Sequence, residues 1–269
     1  MQEEMQELAN QDIVNQETVN NETTVDREST YLESILKFLY QILWHVETTG
    51  LDCLPDNGPA LIVGNTSGYI PWPALMLIYA LIEKKNKHRT VYTLIDSNHT
   101  ENKKLNSYLH NLNFVPWSYD NAKQLLEKGE IIVIFPEDNK VVGKTKSTQN
   151  RTKRFDWTKF LPAVELHVPI YPLATLGVDE AHLVLDNSNF FSQFFNSKVF
   201  PITQFFPWLS FPFNLAALPV PWKMKIMPAL SYNLAKDRED IQEKAKKIAL
   251  RAEGDVQAEI NRLLRSRCR

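Results

Sequence analysis

A chain of 269 residues with 43% hydrophobic and 23% charged residues is long enough for one large core and has an ordinary globular composition. Its net charge of −2 hides an acidic start, since residues 1–30 hold eight acids against one base and the remainder holds 29 bases against 24 acids. That excess is far short of a nucleic-acid-binding surface. Two cysteines, Cys53 and Cys268, are too few for a disulfide framework. No stretch reaches the roughly 18 to 20 apolar residues that span a bilayer, and the acidic N-terminus lacks the form of a secretory signal. The expected setting is the cytoplasm, peripheral at a membrane surface.

Residues 1–30 are rich in Gln, Asn, Glu and Thr without aromatics, and read as a disordered tail. In residues 31–47, Leu32, Ile35, Leu36, Leu39, Ile42, Leu43 and Val46 recur at spacings of three and four, which predicts an amphipathic helix. It either packs on the domain or lies in a membrane interface. Residues 48–59 are rich in turn formers. Residues 60–63 read as a strand, 64–73 (GNTSGYIPWP) as the loop after it, and 74–82 as a buried helix. A strand over 90–95, a helix over 103–112 and a short extended piece over 114–116 follow. A helix over 121–128 then feeds 131–135, a continuous β-branched and aromatic run expected to be a strand buried on both faces.

Pro136 ends that strand, and Glu137, Asp138 and Asn139 fall just past its carboxyl end, where open parallel sheets form their ligand crevice. Residues 138–159 are the most basic stretch, and Lys144, Arg151 and Arg154 are the best candidates there to hold an anionic headgroup. A helix over 160–166 and a buried strand over 168–176 (VPIYPLATL) come next. Nine of the fourteen phenylalanines lie between Phe190 and Phe213, a segment with neither helical nor strand periodicity that must be buried, line a cavity or lie on lipid. A last strand is expected over 222–227 and a long charged helix over 234–269. The alternation predicts an α/β fold: a mostly parallel central sheet flanked by helices over 48–233, preceded by the tail and amphipathic helix and followed by the C-terminal helix.

Val63 to Trp72 (VGNTSGYIPW), Asn121-Ala122, Phe135-Pro136-Glu137 and Val168-Pro169-Ile170-Tyr171-Pro172 together resemble the glycerolipid acyltransferase superfamily, which includes 1-acylglycerol-3-phosphate acyltransferases. The likeness covers roughly residues 44–231. Such enzymes move an acyl chain from acyl-CoA or acyl carrier protein to a lysolipid or glycerol phosphate hydroxyl. They use a His general base oriented by an Asp a few residues on, because the hydroxyl must lose its proton as it attacks.

This chain departs from that pattern at the pair itself. Thr66 stands where the family has His, and the two spacings at which the Asp is found fall on Pro71 and Pro73. Tyr119 stands where a phosphate-binding Arg is common, and Asp138 replaces the Gly after the family's FPE. His45, His99 and His167 have no Asp at a dyad spacing, His88, His110 and His182 read as surface residues, and no His/Cys cluster suggests a metal. The resemblance therefore implies a family fold without the dyad, binding a membrane lipid, lysophospholipid or acyl group, with Glu137, Lys144, Arg151 and Arg154 as binding residues. No cofactor is expected; acyl-CoA or acyl carrier protein would be the donor if the protein is active. An active acyltransferase with an unconventional base, and a structural subunit with an aromatic interface, are the alternatives.

Overall fold

The computed structural model describes residues 33–67, 71–85, 89–96, 112–137, 144, 148–181, 184–187, 201–203, 218–232 and 238–267. The helix expected over 103–112 lies outside these but for Leu112, as does the Phe190–Phe213 segment apart from Pro201–Thr203. The expected tail, residues 1–30, lies outside them too.

Seven strands form the central sheet: β1 (Glu47–Thr49), β2 (Ala60–Gly64), β3 (Val91–Ile95), β4 (Phe114–Pro116), β5 (Ile131–Ile134), β6 (Ile170–Leu176) and β9 (Lys223–Ile226). Their order is β1-β9-β6-β2-β5-β3-β4, and β7 (Val184–Asn187) pairs with β8 (Pro201–Thr203) in a separate antiparallel ribbon. The five strands from β6 to β4 are parallel, while β9 runs antiparallel to β6 and carries β1 parallel to itself. The sheet is mostly parallel, as the chain's alternation predicts. β2, β5 and β6 are buried at every position, as strands covered on both faces must be.

Helix α1 spans residues 33–43 and continues as a π-helix over Phe38–Leu43. It stops short of the predicted end at 47. His45 adopts a positive φ of 42°, which breaks the helix, and Glu47–Thr49 pairs with β9 as an edge strand. α2 (Trp72–Lys85) packs beside α1 on one face of the sheet, against Ile62, Ile131, Val133 and Leu173. The other face is covered by α3 (Tyr119–Glu127), α4 (Leu161–Glu165) and α6 (Arg238–Arg267), packed on Leu61, Val63, Ile132, Ile134 and Ala174. The short α5 (Val178–Ala181) follows β6 directly.

The charged C-terminal stretch hides an apolar stripe. Ala245, Ile248, Ala249, Ala252, Val256 and Ile260 recur at helical spacing and are all buried on the sheet. Three alanines in that stripe let the helix backbone approach β6 closely. At the opposite edge, Trp44 stacks on Trp222 with centroids 4.3 Å apart, and its Nε1 donates to Leu218 O at 3.1 Å. These contacts lock the N-terminal helix to the last strand.

Candidate functional site

β2, β5 and β6 lie side by side and release the chain at one edge of the sheet, where the crevice of an open parallel sheet forms. Four charged side chains are buried among the described residues, and three of them, Glu137, Lys144 and Asp179, meet at this edge. Each arrives from its own element. Glu137 follows β5 past Pro136, whose missing N–H ends the strand. Asp179 sits three residues past the end of β6, at the start of α5. Lys144 Nζ lies 3.2 Å from both Glu137 oxygens and 3.5 Å from Asp179 Oδ2.

β2 delivers three polar residues to the same edge. Asn65 clamps the start of its loop to β6, donating from Nδ2 to Thr175 O at 2.9 Å and accepting from Thr175 N at 2.8 Å. Thr66 and Ser67 follow, both buried, and neither hydroxyl has a hydrogen-bond partner. The Ser67 hydroxyl faces Asp179 closely enough to favour its charged form, though outside hydrogen-bond geometry. Asp179 Oδ1 is likewise without a partner, while Oδ2 accepts from Asn150 N at 2.8 Å.

Burial pushes the Glu137 carboxyl up to about 7; Lys144 opposes this rise and the Asp179 charge adds to it. Burial raises Asp179 as well, against the pull of Lys144 and the Asn150 N–H. Two acids against one base make the fully ionised cluster net negative, and a proton on Glu137 restores balance. Desolvation favours that proton.

Residues 148–156 form a strap over this cluster, with backbone donors held in turn from below and above. Asn150 N donates to Asp179 and Lys153 N to Glu137 Oε1 at 3.4 Å, while Thr152 N donates to Gln257 at 2.7 Å and Phe155 N to Glu253 at 2.9 Å. Gln257 and Glu253 belong to α6, so the C-terminal helix fixes the strap over the site. Arg151 and Arg154 project from the strap into solvent.

The structure thus brings Glu137 and Lys144 together as an ion pair and places Arg151 and Arg154 on the surface above them. Thr66 lies at the tip of β2 and Pro73 inside the first turn of α2. Tyr119 begins α3 and donates to Glu165, which also pairs with Lys123 at 3.1 Å. His45 is exposed beside β1, three strands from β2 and so about 14 Å across the sheet. His167 is exposed in a positive-φ turn leading into the amino end of β6, the opposite edge from the site. His88, His99, His110, His182 and Asp138 lie outside the described residues. Among the described residues no group of His, Cys, Asp and Glu could hold a metal ion.

Sequence reasoning missed Asp179 and Ser67. Asp179 carries the same signal that singled out Glu137, an acid just past the carboxyl end of a buried apolar run. Ser67 offered none beyond its place beside Thr66.

A mostly parallel sheet covered by helices, with its polar cluster at the tips of β2, β5 and β6, defines an α/β domain with a site at the carboxyl edge of its sheet. Residues 45–176 match the protein-family model described as Acyltransferase. The fold is similar to that of the 1-acyl-sn-glycerophosphate acyltransferase PlsC of Thermotoga maritima, with a TM-score of 0.52, 16% identity, and 88% of this chain and 83% of that chain covered. Over residues 45–176 the chain is thus similar to the Acyltransferase family, and its fold is that of the glycerolipid acyltransferase PlsC. Among curated proteins it is 28% identical over 197 residues to uncharacterised proteins of Mycobacterium tuberculosis and Mycobacterium bovis, covering 73% of this chain and 55% of theirs. An uncharacterised Mycobacterium leprae protein is 27% identical over 194 residues, covering 72% of this chain and 53% of its own length. The chain spans about half the length of these relatives.

Proposed function

We propose that this protein binds lipid or acyl groups at a membrane surface and is impaired in the family's acyl transfer. The observation that carries the reading is Thr66. It stands where the resemblance puts the base, buried just past β2, and its hydroxyl cannot take a proton near neutral pH. Pro73, at one of the spacings of the partner acid, has no ionisable group. The two described histidines, His45 and His167, lie away from the tip.

Attachment to a membrane is supported by α1, which buries Leu36 and Tyr40 but leaves Ile35, Phe38 and Ile42 exposed. Three large apolar side chains on the outer face of one helix suit a lipid interface. No helix among the described residues is long and apolar enough to cross a bilayer. Arg151 and Arg154 supply positive charge for anionic lipid.

Single-turnover assays with acyl-CoA and a panel of lysolipids test the reading. We expect transfer slower than by a dyad-containing relative by at least the roughly 10²- to 10⁴-fold credited to general-base catalysis. We expect a partial recovery in the Thr66→His, Pro73→Asp double variant. Native turnover within tenfold of that relative would establish the second reading, an active acyltransferase. Glu137 and Asp179 favour that alternative in one respect, since buried carboxylates with raised proton affinity are better bases than exposed ones.

A further inference from the structure

We propose that Gln257 of α6 is a positioning residue for Asp179, acting through the backbone of Asn150, so that the C-terminal helix governs the charge of the buried cluster. This coupling goes beyond the lipid-binding reading and does not depend on which ligand the site takes.

The conformation of Asn150 carries it. Asn150 has a φ of 59°, in the left-handed region that is costly for a residue with a side chain and persists only where the surroundings hold it. Three bonds do so. Its N–H donates to Asp179 Oδ2 at 2.8 Å, its carbonyl accepts from Gln257 Nε2 at 3.0 Å, and its side-chain amide donates to Glu180 Oε1 at 3.3 Å. Gln257 Oε1 in turn accepts from Thr152 N at 2.7 Å and from Thr152 Oγ1 at 3.2 Å. One amide on α6 therefore grips the strap on both sides of Arg151 and fixes the direction in which the Asn150 N–H points. Gln257 Nε2 also donates to Asn261 Oδ1 at 3.1 Å, which anchors the amide on its own helix.

Asp179 depends on that direction. It is 1% exposed, and burial favours its protonated form, while the Lys144 charge, the Asn150 N–H and the Ser67 hydroxyl favour the ionised one. Lys144 is shared, since its Nζ also meets both oxygens of Glu137. Glu180, next along α5, is paired with Arg267, and Glu253 of α6 accepts from Phe155 N. With Gln257 replaced, the Asn150 N–H is free to turn away, and Asp179 keeps its proton to a higher pH. Linkage makes the effect mutual, so an ionised Asp179 holds the strap to α6 more firmly than a protonated one.

The test is a pH titration of the full chain carrying carbon-13-labelled aspartate carboxyls, followed by NMR, with the Asp179 signal identified by its loss in Asp179→Asn. Gln257→Leu should raise the proton affinity of Asp179 roughly tenfold, the scale of one hydrogen bond to a charged group. Its thermal transition should stay cooperative, because Asn150 and Thr152 are half-buried and water can take the freed groups. Asn150→Gly keeps the backbone bonds and adopts a positive φ freely, so its Asp179 should titrate as in the native chain. Ile248→Ala weakens the packing of α6 nearer its start and should lower stability while leaving the titration in place. An unchanged Asp179 titration in Gln257→Leu overturns the proposal. An equal shift in Ile248→Ala overturns it too, since the effect would then be a general loosening of α6, and a shifted Asn150→Gly overturns the route through the backbone. If Gln257→Leu does not fold, Gln257→Ala gives the same comparison with more room for water.

Discussion

Between pH 4.5, the ordinary value for its carboxyl, and about 7, the folded chain retains a proton on Glu137 that the unfolded chain has released. The folded state therefore binds more protons across that window. The stability that Glu137 contributes is full below about 4.5 and is lost as pH rises through about 7. A shift of this size corresponds to no more than about 3 kcal/mol. Asp179, raised by the same burial, acts in the same direction. Glu137→Gln should flatten the dependence, since a neutral side chain of the same shape has no proton to lose. Urea unfolding at pH 5.5 and pH 8 checks this: the native midpoint should fall on going to pH 8 and the variant's should fall less. A native midpoint that rises instead would mean that the Lys144 pairing outweighs desolvation.

At the scale of elements, α1 presents two faces with different tasks. Leu36 and Tyr40 pack into the core, Trp44 follows at its end, and Ile35, Phe38 and Ile42 face outward. Each outward side chain would contribute about 1.5–3 kcal/mol on burial in lipid. Replacing the three with Ser should release the protein from vesicles while its cooperative thermal transition survives. Trp44→Ala should do the reverse damage, costing about 3–5 kcal/mol of stability, because its ring stacks on Trp222 and its N–H is bonded to Leu218. The strap invites a separate measurement. Arg151→Gln with Arg154→Gln should weaken binding to anionic vesicles and flatten its salt dependence. Vesicle flotation across a salt series reads both variants.

For the whole molecule, the tight seat of α6 is the most exposed to substitution. Ala252 is fully buried against the sheet, so Ala252→Leu should cost about 1–3 kcal/mol by overpacking, measured by chemical denaturation. The sequence made the parallel core legible because β2, β5 and β6 are continuous apolar runs between turn formers. The residues at the expected dyad positions, Thr66 and the prolines, can be read off the chain as well, whereas their role cannot. The edge strand β1 was not legible, since three residues of Glu-Thr-Thr carry no periodicity and gain their structure only from β9. The apolar stripe of α6 was masked by the charges around it, since its inward positions are mostly small. Long-range partnerships were invisible for a different reason: Lys144, Asp179 and Ser67 lie far apart in sequence, and only the crossing of β5 past β2 to β6 brings them together.

The position of β9 has a consequence for a nascent chain leaving the ribosome. β1 pairs with no other strand, and the partner that Trp44 Nε1 reaches is 174 residues further along. Until Lys223–Ile226 has been made, α1 can meet α2 through Tyr40 and Tyr79, but Trp44 lacks the ring of Trp222 that it stacks on, and the outer face of α1 stays exposed. For most of translation Trp44 is therefore without its stacking partner, and synthesis near a bilayer would let lipid shelter it before protein does. Ribosome-bound chains halted before residue 218 should accordingly show Trp44 in a more polar environment without vesicles than with them. Chains carried past residue 232 should show no such difference.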